Sequence, residues 1–373
     1  MRQGKRTRKN SRCRIRRLLP WRPRTLGKEQ GWVGSEMVDQ AKLSNQPKET
    51  PWIEKAGSLV TSVNQRKKNT MSTNWTTANI PSQKGKIIIV TGANSGLGFG
   101  TTRELARKGG KVIMAVRSLD RGASAKEDIE KEIPSAQLEL MELDLASLES
   151  VKSFASDFSQ KYDRLDILIN NAGLMMPEER QETEDGFEKQ IGVNHLGHFA
   201  LTNQLLPMLN ETEDSRVVTI SSMYGKTGYA SINWDDLHWE EEYDTTDAYS
   251  QSKFANQLFG LELARKLEEA GSGTISTMAH PGYTATNLQR HIGLMGKIGN
   301  KLIAQDLDMG ILPQLRAATD PDVENGEYLG PKGFMNMRGY PQTEEPNKKA
   351  KEPELSEKFW KLSEELTDTN FPL

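Results

Sequence analysis

The stretch Lys86–Gly98, which reads KIIIVTGANSGLG, decides the fold of this chain. Its apolar run Ile87–Val90 predicts a short strand that is buried on both faces. Three glycines follow, at Gly92, Gly96 and Gly98. The letters TTRELARK at 101–108 then predict a helix. A helix that begins after a glycine turn offers unpaired backbone N–H groups to an anion, so this arrangement favours a bound phosphate.

The spacing of these glycines is G-x-x-x-G-x-G, which differs from the G-x-G-x-x-G pattern of dinucleotide-binding folds in general. Glycine still has a physical role in such a turn, because a Cβ atom would hold the backbone away from the phosphate. The spacing alone leaves open a glycine-rich turn that binds nothing. Support has to come from residues further along the chain.

The composition excludes several classes of protein. The chain has 373 residues, a formal net charge of −2 and 27% charged residues, so no global charge indicates nucleic acid. A single cysteine, Cys13, excludes an internal disulfide. His195 and His198 lie one helical turn apart, but no nearby carboxylate or third histidine completes a site, so we predict no metal. No apolar run reaches the roughly 18 residues of a membrane-spanning helix, so we predict no transmembrane segment.

The first seventy residues differ in composition from the rest. Residues 1–28 carry twelve Lys or Arg and no acidic residue, and residues 29–70 are polar and aperiodic. Such a segment buries too little to offset its ordering entropy, so we predict that it is disordered. Three interpretations of this segment compete. It is a transit peptide, or it is a basic arm that binds nucleic acid or an acidic membrane, or it does not belong to the native protein. We favour the last interpretation, with Met71 as the start.

Strands alternate with helices over residues 80–340. This alternation predicts one doubly wound, parallel-sheet α/β domain of the Rossmann type, with about seven strands and helices on both faces. The later strands are predicted at 111–116, 137–145, 165–173, 216–222, 274–282 and 326–331. Helices are predicted at about 120–132, 184–209, 248–270 and 310–319. Residues 341–373 are predicted to form a C-terminal tail with a short helix.

Polar and small residues lie at the carboxyl ends of the predicted strands or directly after them. They are Arg117, Asp144, the run 170–173, Ser221–Ser222 and Pro281–Gly282. Because the carboxyl ends of parallel strands meet at one edge of a sheet, we expect all of them to border one crevice.

Tyr249 and Lys253 are four residues apart on a predicted helix, so they share a face. An ammonium group favours the phenolate, so we expect Lys253 to lower the pKa of Tyr249. Tyr249 then suits proton exchange with an alcohol–carbonyl pair, and Ser222 at a strand end can hold the reacting oxygen. Strand alternation points Ser221 the opposite way. A solvated Tyr and Lys remain the alternative when the pair is taken alone.

Seven motifs occur in the order and at the separations of one known family. They are TGANSGLG (91–98), LDL (143–145), NNAG (170–173), VNHLGHF (193–199), VVTISS (217–222), YSQSK (249–253) and HPGYTATNL (280–288). Across about residues 80–340 the chain resembles the short-chain dehydrogenase/reductase family. INWDDLHWEEEYDTTDAYSQSKFANQLF (232–259) and GFMNMRGYP (333–341) make it most similar to the retinol-dehydrogenase-like, WW-domain-oxidoreductase-like group.

The resemblance implies a catalytic tetrad of Asn194, Ser222, Tyr249 and Lys253. It implies that Asn194 holds a water linking Lys253 to solvent, and that Lys253 also binds the ribose hydroxyls of a nicotinamide cofactor. Together with Tyr249 and Lys253, the predicted cofactor-binding residues are Gly92, Asn94, Ser95, Gly96, Leu97, Gly98, Arg117, Asp144, Leu145, Asn171, Ala172, Gly173, Pro281, Gly282 and Thr286.

The end of the second strand predicts which nicotinamide cofactor binds. An NAD site places a carboxylate there for the ribose 2′-OH, but this strand ends in the neutral pair Ala115–Val116. Arg117 follows, with Arg121 near it, and a guanidinium suits a 2′-phosphate. We therefore predict NADP rather than NAD. The alternative is that Arg117 is a solvated loop residue.

These features predict an NADP(H)-dependent oxidoreductase that interconverts an alcohol and a carbonyl compound by hydride transfer. The expected pocket wall comprises Met175, Met176, Tyr224, 234–239 and 283–305, and an apolar lining favours a lipophilic aldehyde, ketone or alcohol. A nucleotide-binding sensor or regulator without turnover is the alternative. A nucleic-acid-binding protein acting through residues 1–28 is a further one, against which the composition argues.

The resemblance also predicts a homodimer or homotetramer, formed through the helices at 184–209 and 248–270, although the group includes monomers. We predict a cytoplasmic protein, with organellar import by residues 1–28 as the alternative. The sequence does not identify the substrate.

Overall fold

The computed structural model describes residues 74–284, 305–333 and 336–373. Eight strands form one sheet: β1 Ile87–Thr91, β2 Lys111–Val116, β3 Gln137–Glu142, β4 Ile167–Asn170, β5 Arg216–Ile220, β6 Ile275–Ala279, β7 Tyr328–Pro331 and β8 Pro341–Glu344. Their order in the sheet is β3-β2-β1-β4-β5-β6-β7-β8. Strands β1 to β7 pair in parallel. The predicted doubly wound Rossmann fold is therefore confirmed.

Helices cover both faces of the sheet. They are α1 Gly96–Arg107, α2 Leu119–Glu132, α3 Leu148–Lys161, α4 (Lys189–Ile191, a π-helical turn Gly192–Leu196, then Gly197–Asn210), α5 Met223–Lys226, α6 Thr245–Glu269, α7 Leu307–Gly310, α8 Leu312–Thr319 and α9 Pro353–Thr367. Short 3-10 helices occupy Thr77–Asn79 and Lys348–Lys351.

The apolar run of β1 is buried on both sides, as its composition predicts. Ile88 and Val90 belong to the core on one face, with Leu105 of α1. Ile89 belongs to the core on the other face, together with Phe154. Because successive strand residues point to opposite faces, a strand between two helical layers has to be apolar at every position.

The last strand differs from the prediction. β8 pairs antiparallel with β7, so the sheet has eight strands instead of about seven. It lies within residues 341–373, where the sequence predicted only a tail with a short helix. That segment adds both β8 and the fifteen-residue helix α9. The run Pro341–Glu344 is polar and four residues long, and a pattern of this kind does not distinguish an edge strand from a loop.

Two predicted helices differ in their bounds. The helix expected at 184–209 begins only at Lys189, because Gly186 adopts φ +86° and closes a turn in which Thr183 and Phe187 pair. It also contains a π-helical turn that no local pattern indicates. The helix expected around 310–319 is α8, which begins at Leu312, and the short helix α7 precedes it.

Helix α9 packs along α4 and α6. Its Trp360 ring lies 4.8 Å from that of Phe199 on α4 and 5.7 Å from that of Phe259 on α6, measured between ring centroids. Trp360 is 2% exposed. The C-terminal helix is thus part of the core on this face of the sheet. Among the described residues, no helix combines the length and apolar character that a membrane crossing needs.

We predict that Trp360→Ala lowers the free energy of unfolding by about 3–5 kcal/mol, because the substitution leaves a cavity between α9 and the two helices beneath it. Urea denaturation followed by tryptophan fluorescence measures this loss. Tyr229→Ala is the control, because Tyr229 is 94% exposed and its loss should change stability by less than about 0.5 kcal/mol. Equal stability of the two variants would show that α9 contributes nothing to the core.

Candidate active site

A cleft of about 510 Å³ opens at the carboxyl ends of β1 and β4. These strands are neighbours in the sheet although they are far apart in sequence, so the cleft lies where the strand order reverses. Of the predicted cofactor-binding residues, the following line it: Gly92, Asn94, Ser95, Gly96, Leu97, Gly98, Arg117, Asp144, Leu145, Asn171, Ala172 and Gly173. The structure therefore brings most of the predicted nucleotide site together.

The glycine turn between β1 and α1 has a shape that only glycine permits. Gly92 and Gly96 adopt φ values of +66° and +53°. A Cβ atom on Gly98 would lie 2.3 Å from the carbonyl oxygen of Gly92. No described side chain caps α1, because Ser95 makes no capping hydrogen bond. The first N–H groups of α1 thus face the cleft without a side-chain acceptor, and these donors fit a pyrophosphate.

The hydroxyl of Thr91 fastens this turn to the loop after β4. Its Oγ1 accepts hydrogen bonds from the backbone N–H groups of Asn171 and Ala172, both at 2.9 Å. The Nδ2 of Asn171 donates back to the carbonyl oxygen of Thr91 at 2.7 Å. Asn170 is buried, and its Nδ2 donates to Thr202 of α4 instead. This bond joins the end of β4 to α4. The two walls of the cleft are therefore held at a fixed separation.

Two arginines lie at the end of the cleft nearest β2. Arg117 follows β2, and Arg121 lies in the first turn of α2, whose N-cap is Ser118. Both side chains are exposed and line the cleft, and neither pairs with a carboxylate of the described residues. On the same wall, Asp144 Oδ1 accepts the backbone N–H of Ala146 at 2.9 Å. The wall thus combines two available positive charges with one engaged carboxylate.

Tyr249 of α6 meets Ser222, which follows β5. The Ser222 hydroxyl hydrogen-bonds the phenol, but burial has the larger effect and raises the pKa of Tyr249 to about 12. The expectation that Lys253 would lower this pKa is therefore wrong for the chain alone. The Lys253 Nζ lies 5.9 Å from the centre of the Tyr249 ring, and the cost of desolvating a phenolate exceeds its influence. Tyr249 is consequently a neutral phenol at physiological pH.

Lys253 lies beneath the loop after β4. Its Nζ donates to the carbonyl oxygen of Ile220 at 3.2 Å, and burial lowers the pKa of the ammonium to about 8. A Cβ on Gly173 would lie 3.5 Å from this Nζ and 3.0 Å from Oδ1 of Asn194. Gly173, which lines the cleft, therefore lies against both the lysine and the asparagine.

Asn194 lies in the π-helical turn of α4 and spans two elements. Its Oδ1 accepts the N–H of Leu174 at 2.9 Å, and its Nδ2 donates to Leu174 O at 3.0 Å and to Ser252 Oγ at 2.9 Å. The side chain thus fixes the loop after β4 to α6. None of the four residues predicted as a tetrad lines the cleft itself. Lys253 and Asn194 lie directly behind Gly173 of its lining. Tyr249 is next to Lys253 and meets Ser222.

Ser221 points away from Ser222, as strand alternation predicts. Its Oγ is buried, donates to the carbonyl oxygen of Lys253 at 2.7 Å and accepts from Gln257 at 3.2 Å. Ser221 therefore joins β5 to α6. Ser222, which is partly exposed, is the hydroxyl available to a ligand.

Pro281 and Gly282 follow β6 but do not line the described cleft. The carbonyl oxygen of Pro281 accepts from Thr284 Oγ1 and from Gln305 Nε2, both at 2.7 Å. Gly282 has φ +65°. Thr286 lies outside the described residues, as does most of the segment 283–305.

The expected substrate wall is assembled only in part. Met175 lines the cleft, and the Tyr224 ring packs edge-on against Tyr249 at 5.5 Å between centroids. Trp234 instead packs on α9, where Lys358 Nζ lies 3.6 Å from its ring centre. Met176 has φ +50° and donates its backbone N–H to Gln190.

Sequence reasoning missed the role of His198. Its Nε2 lies 2.9 Å from Thr91 Oγ1, and its Nδ1 lies 3.1 Å from the backbone oxygen of Asn194. Burial lowers the pKa of His198 to about 3, so the ring is neutral and connects the two residues. His195 points elsewhere, to Ser363 of α9 at 2.9 Å. The two histidines lie one helical turn apart in the sequence, yet their rings make separate contacts.

Comparison with known proteins agrees with this arrangement. The sequence pattern of the family described as "short chain dehydrogenase" matches residues 86–234. Retinol dehydrogenase 13 of Homo sapiens is 39% identical over 291 residues, which cover 77% of this chain and 86% of that protein. Polyprenol dehydrogenase of Mus musculus is 39% identical over 298 residues, covering 77% and 85%.

A solved structure also resembles this chain. It is that of an uncharacterised protein from Mycobacterium paratuberculosis, with 43% sequence identity and a TM-score of 0.68, and it covers 81% of this chain and 100% of that one. The chain belongs to the short-chain dehydrogenase/reductase family. Within that family it is a retinol-dehydrogenase-like oxidoreductase, and members of the family bind NAD or NADP.

We predict that stability depends on pH through Lys253. Its pKa is about 8 in the folded chain and near 10.5 in the unfolded chain, so between these values the unfolded state binds more protons. Stability should therefore rise with pH, by up to about 1.4 kcal/mol per pH unit. Urea denaturation of wild type and Lys253→Met from pH 7 to 9.5 measures this, with the variant as reference. A constant difference between them would contradict the burial of the ammonium.

Proposed function

We propose that this chain is an NADP(H)-dependent oxidoreductase that interconverts an alcohol and a carbonyl compound of small, lipophilic molecules. The observation that carries the proposal is the meeting of Ser222, Tyr249 and Lys253 beside a glycine turn with free N–H donors. A nucleotide cleft alone would suit many activities. A neutral phenol, a hydroxyl and a desolvated lysine at its end suit proton transfer to a carbonyl oxygen.

The proposed roles follow from the state of each group. Tyr249 carries its proton at neutral pH, so it is the donor to the substrate oxygen during reduction. Ser222 hydrogen-bonds the same oxygen and polarises the carbonyl. A nicotinamide cofactor held in the cleft would supply or accept the hydride at its C4 atom.

Lys253 and Asn194 would complete the proton path. Below pH 8 the ammonium of Lys253 would stabilise the phenolate that forms when Tyr249 gives up its proton. Its position beside Gly173 would also let it bind the ribose hydroxyls of the cofactor. Asn194 is proposed to hold the water through which Lys253 exchanges protons with solvent. Its side-chain bonds to Leu174 keep this part of α4 beside the lysine.

The preference for NADP over NAD rests on Arg117 and Arg121. Both guanidinium groups line the cleft at the end of β2. β2 ends in the neutral residue Val116, so no carboxylate stands there to accept the ribose 2′-OH or to repel a 2′-phosphate. Asp144, Leu145 and Asn171 are proposed to flank the adenine and the rest of the cofactor, and Pro281, Gly282 and Thr286 its carboxamide.

The substrate class is proposed from the relatives and from the wall of the site. Retinol and polyprenol, which name two of the relatives, are long isoprenoid alcohols. Met175 adds apolar surface to the cleft, and the Tyr224 ring packs on Tyr249. A lipophilic alcohol, aldehyde or ketone fits both observations.

The location and assembly of the chain remain proposals. We propose a cytoplasmic protein. A homodimer or homotetramer would have to use faces of α4 and α6 other than those on which α9 packs. The bounds 1–70 and 80–340 likewise stay predictions, whereas β8 and α9 join residues 341–373 to the sheet and its core.

We predict that Arg117→Asp reverses the cofactor preference, because a carboxylate at this position repels a 2′-phosphate and accepts the 2′-OH. The ratio of kcat/KM for NADPH to that for NADH should fall at least tenfold. Lys348→Asp, the same charge change at an exposed position outside the cleft, should leave the ratio unchanged. An unchanged ratio in Arg117→Asp would remove the basis for NADP.

We predict that Tyr249→Phe lowers kcat by at least a hundredfold in NADPH-dependent reduction of a panel of carbonyl compounds, because the proton donor is lost. NADPH binding, measured by fluorescence titration, should change less than threefold. Tyr229→Phe, an exposed tyrosine, is the control. A sensor without turnover would bind NADPH and show no reduction in the wild type, and turnover of Tyr249→Phe near the wild-type rate would refute the role of Tyr249.

A further inference from the structure

A buried ionic cluster lies behind the site, where β8 joins the sheet. The Glu344 side chain is 2% exposed. Its Oε2 pairs with Nζ of Lys226 and lies 3.2 Å from Nε2 of His280. Burial opposes the charge of this carboxyl, but the bonds from His280 and Lys226 outweigh it and hold the pKa of Glu344 below its usual value. The proposed mechanism uses none of these three groups.

Gly330 of β7 lies directly against this cluster. A Cβ on Gly330 would lie 2.2 Å from His280 Nε2 and 2.6 Å from Glu344 Oε1. A strand interior disfavours glycine, since it contributes no side chain to packing. Gly330 is therefore explained by the histidine–carboxylate pair that occupies the space beside it.

His280 connects Glu344 to the loop after β6. Its Nδ1 accepts the backbone N–H of Gly282 at 3.2 Å. A backbone N–H can only donate, so Nδ1 is unprotonated and the ring proton is on Nε2, where it is donated to Glu344. The carboxylate thereby selects the tautomer that holds Gly282. Gly282 is also closely packed on its other side, because a Cβ atom there would lie 2.3 Å from the backbone oxygen of Met337.

Lys226 connects Glu344 to the segment that contains Ser222. Lys226 is the last residue of α5, and Ser222 is the N-cap of the same short helix. Asn347, three residues after Glu344, adds two bonds there: its Nδ2 donates to Thr227 O at 2.8 Å and to Gly225 O at 3.3 Å. Gly225 lies directly against the backbone of Lys253, with 2.5 Å from its Cβ position to Lys253 O.

We infer that Glu344 is a positioning residue that holds the Ser222 segment and the Pro281–Gly282 loop at one fixed separation. The inference rests on the proposed function for its kinetic consequence. In the proposed function, Ser222 hydrogen-bonds the reacting oxygen and Gly282 binds the carboxamide side of the cofactor. One carboxylate on an added edge strand thus aligns the substrate side of the site with its cofactor side.

The two links make distinct contributions. The Lys226 link acts on α5 and therefore on the placement of Ser222, which affects kcat. The His280 link acts on Gly282 and therefore on cofactor affinity. Loss of Glu344 affects both, whereas loss of the Lys226 ammonium affects only the first.

The test uses the full chain with Glu344→Gln, Lys226→Gln and, as matched control, Glu345→Gln. Glu345 is the neighbouring glutamate, is largely exposed, and pairs only with Lys351 among the described residues. Measured quantities are the dissociation constant for NADPH by fluorescence titration, kcat with a panel of lipophilic aldehydes, and the thermal midpoint. Rates are divided by the fraction of chains that binds NADPH, so a loss of folded protein does not count as a loss of kcat.

Glu344→Gln should lower kcat about tenfold or more and weaken NADPH binding at least threefold, since small displacements at a reacting centre have large effects on rate. Lys226→Gln should lower kcat with NADPH binding unchanged, and Glu345→Gln should change neither. Wild-type NADPH affinity in Glu344→Gln overturns the inference, whether or not kcat changes. If wild type turns over no aldehyde, the proposed function fails, and weaker NADPH binding in Glu344→Gln still supports the link to Gly282.

Discussion

The hydroxyl of Thr91 is the contact on which the site depends most. It lies at the end of β1 and accepts two N–H groups from the loop after β4. It also meets the neutral ring of His198, which reaches the backbone of Asn194. One oxygen atom thus connects the glycine turn, the loop that lines the cleft and the helix that carries Asn194. A buried hydroxyl with all its partners fixed gives these elements a single relative position.

Much of this arrangement was predictable from local sequence. A strand, three glycines and a helix predict the glycine turn. The positive φ angles of Gly92 and Gly96 explain why glycine stands there. The i, i+4 spacing of Tyr249 and Lys253 placed both on one face of α6. Strand alternation separated Ser222 from Ser221, whose hydroxyl bonds α6 instead. Each of these inferences needed only the period of a helix or strand.

Other features depend on contacts between distant parts of the chain. The pKa of Tyr249 could not be read from its distance to Lys253 along the helix, because burial, which no spacing reveals, dominates it. The strand β8 is too short and polar to identify, and its partner β7 and the cluster around Glu344 define it. Trp234 was expected at the substrate wall, yet α9 provides the surface on which it packs. In each case the deciding group comes from a segment remote in sequence.

The π-helical turn Gly192–Leu196 has a consequence for the whole of α4. Its backbone bond runs from the N–H of Gly197 to the oxygen of Gly192, so one residue more than in an α-helical turn is accommodated. Each residue of an α-helix turns the side-chain direction by about 100°. The parts of α4 before and after the turn are therefore out of phase, and no single helical wheel describes both. On this helix, Asn194 within the turn bonds Leu174 and Ser252, whereas Phe199 after the turn packs on Trp360 of α9.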